Sequence, residues 1–341
     1  MPAAGRQPKA RRPALWFEQA AILAIAAGLD FCLGDPWGWP HPVQVMGWGI
    51  GVYSQAVFKV IKAPIGQRLA GIVLGVGLIV GSGLTGWALL WLARVVQPGM
   101  DLLVGAVLLA SCFAGRSLRR AAEDVLQPLQ HGDLAAARQQ LSRYVGRDTA
   151  DLNEAEILRA VMETVTENAT DGVLAPLFYA LVGAFLPGVG SVPLALAYKA
   201  ASTLDSMVGY REAPYTDLGW FSARLEDGLT WLPCRLVVVT IGLLSGQPGR
   251  VWRICRRDAI ADPSPNAGWS ECAYAATLGV QLGGPNRYRG VIKVKPKLAD
   301  DLQPITPDLI RQAMDLTRSA FLIGLCSAVA GLIGRGLLNL R

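Results

Sequence analysis

Apolar and polar residues alternate along this chain in long blocks. Apolar stretches cover 15–33, 43–58, 69–93, 100–114, 173–198, 236–249 and 319–340. A helix that crosses a bilayer needs about 20 apolar residues. Only 69–93 and 173–198 reach that length without a charge. The stretch 15–33 includes Glu18 and Asp30, and 43–58, 100–114 and 236–249 are short. Pro187 to Gly190 interrupt 173–198, which predicts a re-entrant hairpin or a broken helix. The stretch 236–249 runs into Arg250, Arg253, Arg256 and Arg257, and it is expected to be re-entrant rather than spanning.

The polar blocks 115–172, 199–235 and 250–318 read mainly as helix and loop. Gly132-Asp133 breaks the first block, and "DLNE" restarts it as a capping box, with Asp151 as N-cap and Glu154 three residues on. A helix then runs from Leu152 to about Asp171. The best strand candidate is "YRGVIKVKPKL". The expected fold is mostly α: a polytopic integral membrane protein with re-entrant or broken helices and cytoplasmic helical segments. One membrane-integrated unit is expected over 1–341. It divides into membrane helices in 1–114, a helical segment in 115–172, and broken apolar segments in 173–249 with a polar linker at 199–235. A loop region at 250–318 and a last membrane helix at 319–341 complete it.

Composition agrees. Of 341 residues, 52% are hydrophobic and 17% charged, and the mean hydropathy is +0.34. Soluble domains carry about 25% charged residues. The net charge of +6 comes from Lys and Arg flanking apolar segments, the pattern of cytoplasmic loops. Arg6, Lys9, Arg11 and Arg12 precede the first apolar stretch and put that end inside. Aromatics do not interleave with the basic residues, so nucleic acid is excluded as a partner. The six cysteines form no CxxC pair, and His41 and His131 are the only histidines, which argues against zinc and disulfide frameworks.

The candidate chemistry sits where polar blocks meet apolar ones. In "ETVTENATDG", Glu163, Glu167 and Asp171 recur every four residues behind Arg159. Like charges at that spacing repel on a helix, and acids near a helix C-terminus oppose its dipole. A hydrated Mg²⁺ shared with substrate phosphates would offset them; so would nearby arginines on a solvated acidic face. "YKAASTLDSMVGY" offers Lys199 for phosphate and Asp205 for a metal or an arginine. "ARLEDGLTWLPCRL" adds Arg224 and Asp227. The loops "DPSPNAGWSE" and "LGGPNRYRG", with Ser264, Asn266, Gly283, Gly284 and Asn286, expose backbone N–H groups that can cradle anions. No GxxxxGK[ST] occurs, so a nucleotide site would not be a P-loop. Near the start, "LGDPWGWPHPV" carries Asp35 and His41, with Asp30 just ahead.

Taken in order, "LDFCLGDPWGWPHPV", "YVGRDTADLNEAEILRAVMETVTENATDGVLAPLFY", "YKAASTLDSMVGY", "GWFSARLEDGLTWLPCRL", "DPSPNAGW" and "LGGPNRYRG" resemble the CobD/CbiB family of cobalamin biosynthesis across residues 29 to 318. Ser202, Glu226 and Thr230 stand where that family more often has Asn, Asp and Asn. The resemblance implies a multi-pass protein of the bacterial cytoplasmic membrane with its active site facing the cytoplasm. It implies ATP- and Mg²⁺-dependent amide formation between adenosylcobyric acid and (R)-1-aminopropan-2-ol O-phosphate. On that basis Glu163, Glu167 and Asp171 would hold Mg²⁺ and, with Lys199 and Asp205, act in catalysis. Arg147, Asp148, Asn168, Arg224, Asp227, Ser264, Asn266, Gly283, Gly284 and Asn286 would bind cofactor or substrate. The partners implied are the corrinoid, aminopropanol phosphate, the bilayer and other cobalamin-pathway enzymes. Two other classes fit parts of the pattern. Broken helices suit a corrinoid transporter, and acidic helices suit a membrane prenyltransferase, whose paired Asp-rich motifs are absent here.

Overall fold

The computed structural model describes residues 11–34 and 41–340, with side chains from Leu15 onward. Arg6, Lys9 and Asp35, and the side chains of Arg11 and Arg12, lie outside the described set. In chain order the helices are α1 (Arg11–Cys32), α2 (Pro42–Val60), α3 (Pro64–Val96), α4 (Met100–Ala110), α5 (Gly115–Gln130), α6 (Leu134–Leu141) and α7 (Glu154–Asn168). A π-helical turn, Ala169–Leu174, leads into α8 (Ala175–Phe185). There follow α9 (Ser191–Val208), α10 (Trp220–Leu244), α11 (Pro248–Asp258), α12 (Ala267–Leu278), the strands β1 (Leu282–Tyr288) and β2 (Val291–Leu298), and α13 (Pro307–Leu338).

Five helical stretches among the described residues are long and apolar enough to cross a membrane: Leu15–Cys32, Pro64–Val96, Met100–Gln130, Trp220–Leu244 and Pro307–Leu338. The protein is thus a mostly α, polytopic membrane protein. The 173–198 block breaks where proline and glycine predict, between α8 and α9. The 236–249 block is not a separate short segment: residues 236–244 are the end of the 25-residue α10, which is long and apolar enough to cross a membrane. The uncharged run begins only after Arg235, whereas the helix begins at Trp220 and carries Pro233 inside it.

The chain groups into two compact units, each assembled from separate stretches. The first comprises 1–113, 176–223 and 322–341. Within it α3 packs on α4 and α9, and α1 on α4. Small residues allow the close approach: a Cβ at Gly86 would fall 2.7 Å from a methyl carbon of Leu196 on α9. The opposite face of α3 leaves Val73, Val76, Val80, Leu84, Trp87 and Trp91 exposed, the reverse of a water-soluble helix and suited to lipid.

The second unit comprises 114–175 and 224–321. Here α5, α6 and α7 pack together over Leu126, Leu141, Ile157, Val161 and Val165, all buried. α12 packs on α7 and α11, and the antiparallel hairpin β1–β2 lies against α7, α11 and α12. The capping box at the start of α7 sits two residues beyond the predicted one. Asn153 Oδ1 accepts from Glu156 N at 2.9 Å, and Glu156 Oε2 accepts from Asn153 N at 2.9 Å. Both readings have a short polar residue followed three positions on by Glu, and the later one places the first turn under Ile157.

Candidate functional site

The polar centre of the second unit is built around Glu163. This residue faces inward from α7 and is 1% exposed. A buried carboxylate must be paired or it will hold a proton. Glu163 Oε2 accepts from Arg147 Nη2 at 2.5 Å. Its Oε1 accepts from the backbone N–H of Gly283 at 3.0 Å and from Arg159 Nη1 at 3.5 Å. Arg147 also donates to Asn286 Oδ1 at 2.8 Å, and Arg159 to Pro285 O at 2.9 Å, Gly283 O and Asn286 Oδ1. Two arginines and one carboxylate thus bind β1 to α7.

Gly283 makes this geometry possible. Its φ is +85°, and a Cβ there would sit 1.9 Å from Pro296 O. Asp148 holds the far end of the same hairpin. Its carboxylate accepts from the N–H groups of Arg289 (3.1 Å) and Gly290 (2.8 Å), the two residues of the turn.

A second layer lies beside the first. Lys295 on β2 stands 3.3 Å from Glu271 Oε1 on α12. Glu271 is 0% exposed. Burial pushes its carboxyl up to about 8; Lys295 pulls the other way, and Glu167, Glu163 and Asp262 add to the rise. Burial also raises the Glu167 carboxyl, against the pull of Lys295. Burial works against charge on Lys295, but Glu271, Glu167, Glu163 and Asp262 together hold its ammonium well above the usual lysine range. Two carboxylate oxygens in this layer, Glu271 Oε2 and Asp262 Oδ2, are buried and accept no hydrogen bond.

The "DPSPN" loop is internally locked. Asp262 Oδ1 accepts from Ser264 N at 2.8 Å, and Ser264 Oγ accepts from the N–H groups of Asn266 and Ala267. Asn266, buried, donates to Asp227 O at 2.9 Å and accepts from Arg235 at 3.0 Å.

The predicted site residues therefore separate into groups. Glu163, Arg147, Gly283, Gly284 and Asn286 come together, with Asp148 at the hairpin turn. Ser264, Asn266 and Asp227 form the adjoining loop lock. Asn168 is exposed and donates to its own helix at Thr164 O, 2.9 Å away. Arg224 is exposed on α10. Lys199 and Asp205 belong to the first unit, on α9. His41 caps α2 through Val43 N, a structural role.

Glu163 and Glu167 stand on α7, and Asp171 stands on the π-helical turn Ala169–Leu174 that follows it. Among the described residues, no three His, Cys, Asp or Glu side chains are arranged to hold a metal ion. Glu163 is saturated by Arg147, Arg159 and Gly283, so the cation that the stripe required is, for this residue, arginine. Glu167 and Asp171, both half-buried, carry carboxylate oxygens, the hard donors that share Mg²⁺ with phosphate and water.

Asp262, Glu271 and Lys295 were not among the predicted residues. Glu271 had a legible signal, being the only charge in α12. Lys295 alternates with Lys293 and Lys297, and only tertiary packing distinguishes it from them.

Comparison with known proteins bears on this arrangement. The family described as "CobD/Cbib protein" matches residues 23–317. The chain belongs to the CobD/CbiB family. A Synechocystis relative, "Cobalamin biosynthesis protein CobD", is 55% identical over 301 residues, 88% of each chain. "Cobalamin biosynthesis protein CbiB" of Salmonella choleraesuis is 40% identical over 314 residues, 91% of this chain and 96% of that one. A Pelobacter propionicus CobD is 39% identical over 322 residues, 93% of this chain and 96% of that one. No solved structure matches. The CobD/CbiB match takes in residues of both compact units, including the Glu163 centre, and ends within α13.

Proposed function

We propose that this chain acts in cobalamin biosynthesis as an ATP- and Mg²⁺-dependent carboxylate–amine ligase. It would join adenosylcobyric acid to (R)-1-aminopropan-2-ol O-phosphate and release adenosylcobinamide phosphate. Family membership and the names of the relatives support the pathway. One structural observation carries the chemistry: a buried cluster of acids and cations beside a glycine-containing hairpin, in the second compact unit of a membrane protein.

A carboxylate is a poor acyl donor. Transfer of the ATP γ-phosphoryl group to the corrinoid carboxylate gives an acyl phosphate and ADP. The amine then forms the C–N bond, loses a proton and expels inorganic phosphate. Mg²⁺, when bound, would neutralise phosphate charge during the transfer. Glu167 and Asp171 are the acids proposed to hold it; Glu163 is bound to its arginines. Arg147 and Arg159 position Glu163 and β1, which fixes the backbone from Gly283 to Asn286. Arg224, exposed on α10, is a proposed partner of phosphate oxygens. The site faces the cytoplasm, where ATP is found, and the bilayer holds the amphipathic corrinoid nearby.

Mass spectrometry tests this reading. Purified full-length protein is incubated with adenosylcobyric acid, ATP, Mg²⁺ and, separately, aminopropanol phosphate, aminopropanol and ethanolamine. The expected result is the amide adduct of aminopropanol phosphate, dependent on ATP and Mg²⁺. Failure to add any of the amines overturns the ligase assignment.

A further inference from the structure

We propose that the α10–α11 hairpin lies along the bilayer surface instead of crossing it. An apolar stripe of α10 faces the acyl chains, and the outer arginines of α11 sit among anionic phospholipid headgroups. This placement is independent of the ligase chemistry. α10 has the length and composition of a span. A helix that crosses leaves the chain on the far side, and a second crossing takes about 20 apolar residues. Here the chain comes straight back without them.

The turn is tight. Gln247 N donates to Gly242 O at 3.2 Å. A Cβ at Gly242 would fall 3.0 Å from Pro248 Cα and 3.6 Å from Val251 Cβ, so α11 starts against the last turns of α10. α11 has 11 residues and is about 16 Å long, half of the roughly 30 Å hydrocarbon core. Just beyond it the chain is already beside the earlier part of α10. Asn266 donates to Asp227 O at 2.9 Å, and Arg235 donates to Pro265 O at 2.8 Å. The Arg235 guanidinium also lies 4.4 Å from the Trp269 ring. α11 therefore doubles back along α10, and the two share one depth.

Arginine sets that depth. α11 turns Val251, Ile254 and Cys255 inward. Arg257 pairs with Asp258 and Asp300. Arg253 and Arg256 are exposed and make no hydrogen bond or ion pair among the described residues. Unpaired arginines facing hydrocarbon are costly and rare, whereas at the headgroups they meet lipid phosphate.

α10 supplies the complementary face. Trp231, Leu232, Leu236, Val239 and Leu243 follow a helical stripe and are 44–62% exposed. A row of rings joins this stripe to the outer face of α11. Arg235 stacks 5.1 Å from the exposed Trp231 on one side and on Trp269 on the other, and Trp269 lies 5.4 Å from the exposed Trp252 of α11. Apolar residues on one side, arginines on the other and tryptophans between them are the order of groups across a bilayer interface.

Two measurements on the full-length protein test the placement, both in a background with Cys32 and Cys326 replaced by Ser. The first uses Gln247→Cys at the turn and Asp301→Cys in the loop after β2, both at exposed positions. In sealed vesicles, a membrane-impermeant maleimide should label both from the same side. Labelling from opposite sides makes α10 a span, and no labelling of Gln247→Cys from either side buries the turn in lipid; either result overturns the proposal. The second places a fluorophore on Ile260→Cys, one turn beyond Arg256. Nanodiscs carry a headgroup quencher on phosphatidylglycerol or, separately, on phosphatidylcholine. Quenching by the anionic lipid should be about fivefold the stronger, the enrichment given by one arginine near a charged surface. The double variant Arg253→Gln, Arg256→Gln, checked for folding by thermal melt, should make the two equal. Equal quenching without those substitutions, an excess that survives in the double variant, or no quenching by either lipid, as expected of a face covered by a second copy, overturns the headgroup contact.

Discussion

The Glu163–Arg147 pair gives the sharpest prediction about stability. Arg147 has a side chain 8% exposed and Glu163 one 1% exposed, and their charged atoms are 2.5 Å apart. Replacing Glu163 with Gln keeps the shape and removes the charge. The amide presents one oxygen and one NH2 group to a surrounding of donors: Arg147, Arg159 and Gly283 N–H. Whichever way it turns, the NH2 opposes one of them. Breaking a buried pair by removing one partner costs about 3–5 kcal/mol. Glutamine recovers about 1 kcal/mol as one neutral hydrogen bond, leaving roughly 2–4 kcal/mol. For a cooperative unit of this size, each kcal/mol lowers Tm by about 2–4 °C, so a fall on the order of 10 °C is expected.

The second unit carries its own reporters, because Cys234, Cys255 and Cys272 are fully buried. Heating the detergent-purified protein with a thiol-reactive maleimide and identifying the labelled cysteines by mass spectrometry reads the unfolding of that unit. Arg147→Met alone should also destabilise it. The double variant should be less destabilised than the sum of the two singles by about 2 kcal/mol, since both charges leave together. A Tm change below about 2 °C, or additivity to within about 0.5 kcal/mol, refutes the assignment of Glu163 as a pair-bound structural acid.

Three further outcomes follow from the same region. The Glu271 carboxyl sits near 8 in the folded protein against 4.5 as its ordinary value. The folded state therefore keeps a proton that the unfolded chain releases, so stability should fall as pH rises from about 5 to 8, and Glu271→Gln should flatten that slope in thermal melts. If the slope is unchanged in the variant, Glu271 is not the group responsible. Asp148→Ala removes the acceptor of the Arg289 and Gly290 amides, costing about 1–2 kcal/mol locally; hydrogen exchange at the turn should accelerate while α5–α7 stay protected. Glu167→Gln and Asp171→Asn should each raise the Mg²⁺ concentration needed for half-maximal amide formation, and normal turnover in both variants would sink their role with the metal.

Much of the architecture could be read from local pattern. The break at Pro187–Gly190, the helical 115–172 block with its stop at Gly132-Asp133, and the strand in "YRGVIKVKPKL" all follow from turn chemistry and periodicity. What escaped depends on partners distant in the chain. "LGGPNRY" reads as a loop because glycine and proline dominate it, yet it pairs as β1 because Arg159, 124 to 127 residues earlier, takes up its carbonyls and Asn286. The acidic stripe was visible, but its compensation was not. Arg147 lies 16 residues before Glu163, beyond any helical spacing rule, and the π-helical turn that carries Asp171 has no local signature in "ATDGVL". The second half of α10 reads as too short for a span because the polar first half, around Arg224 to Asp227, hides the continuity of the helix.

The long span between Glu163 and Gly283 has a consequence for synthesis. The amide that completes the Glu163 pocket is made 120 residues after the acid itself. At about 5–20 residues per second, the ribosome takes roughly 6–24 s to supply it. During that interval α8 to α12 emerge, of which α10 is long and apolar enough to cross the bilayer, while the carboxylate on α7 has only Arg147 and Arg159 for company. The nascent chain must therefore keep α7 wet and out of the insertion machinery until the hairpin arrives. Arg147 and Arg159, already made, are the residues able to neutralise Glu163 throughout that wait.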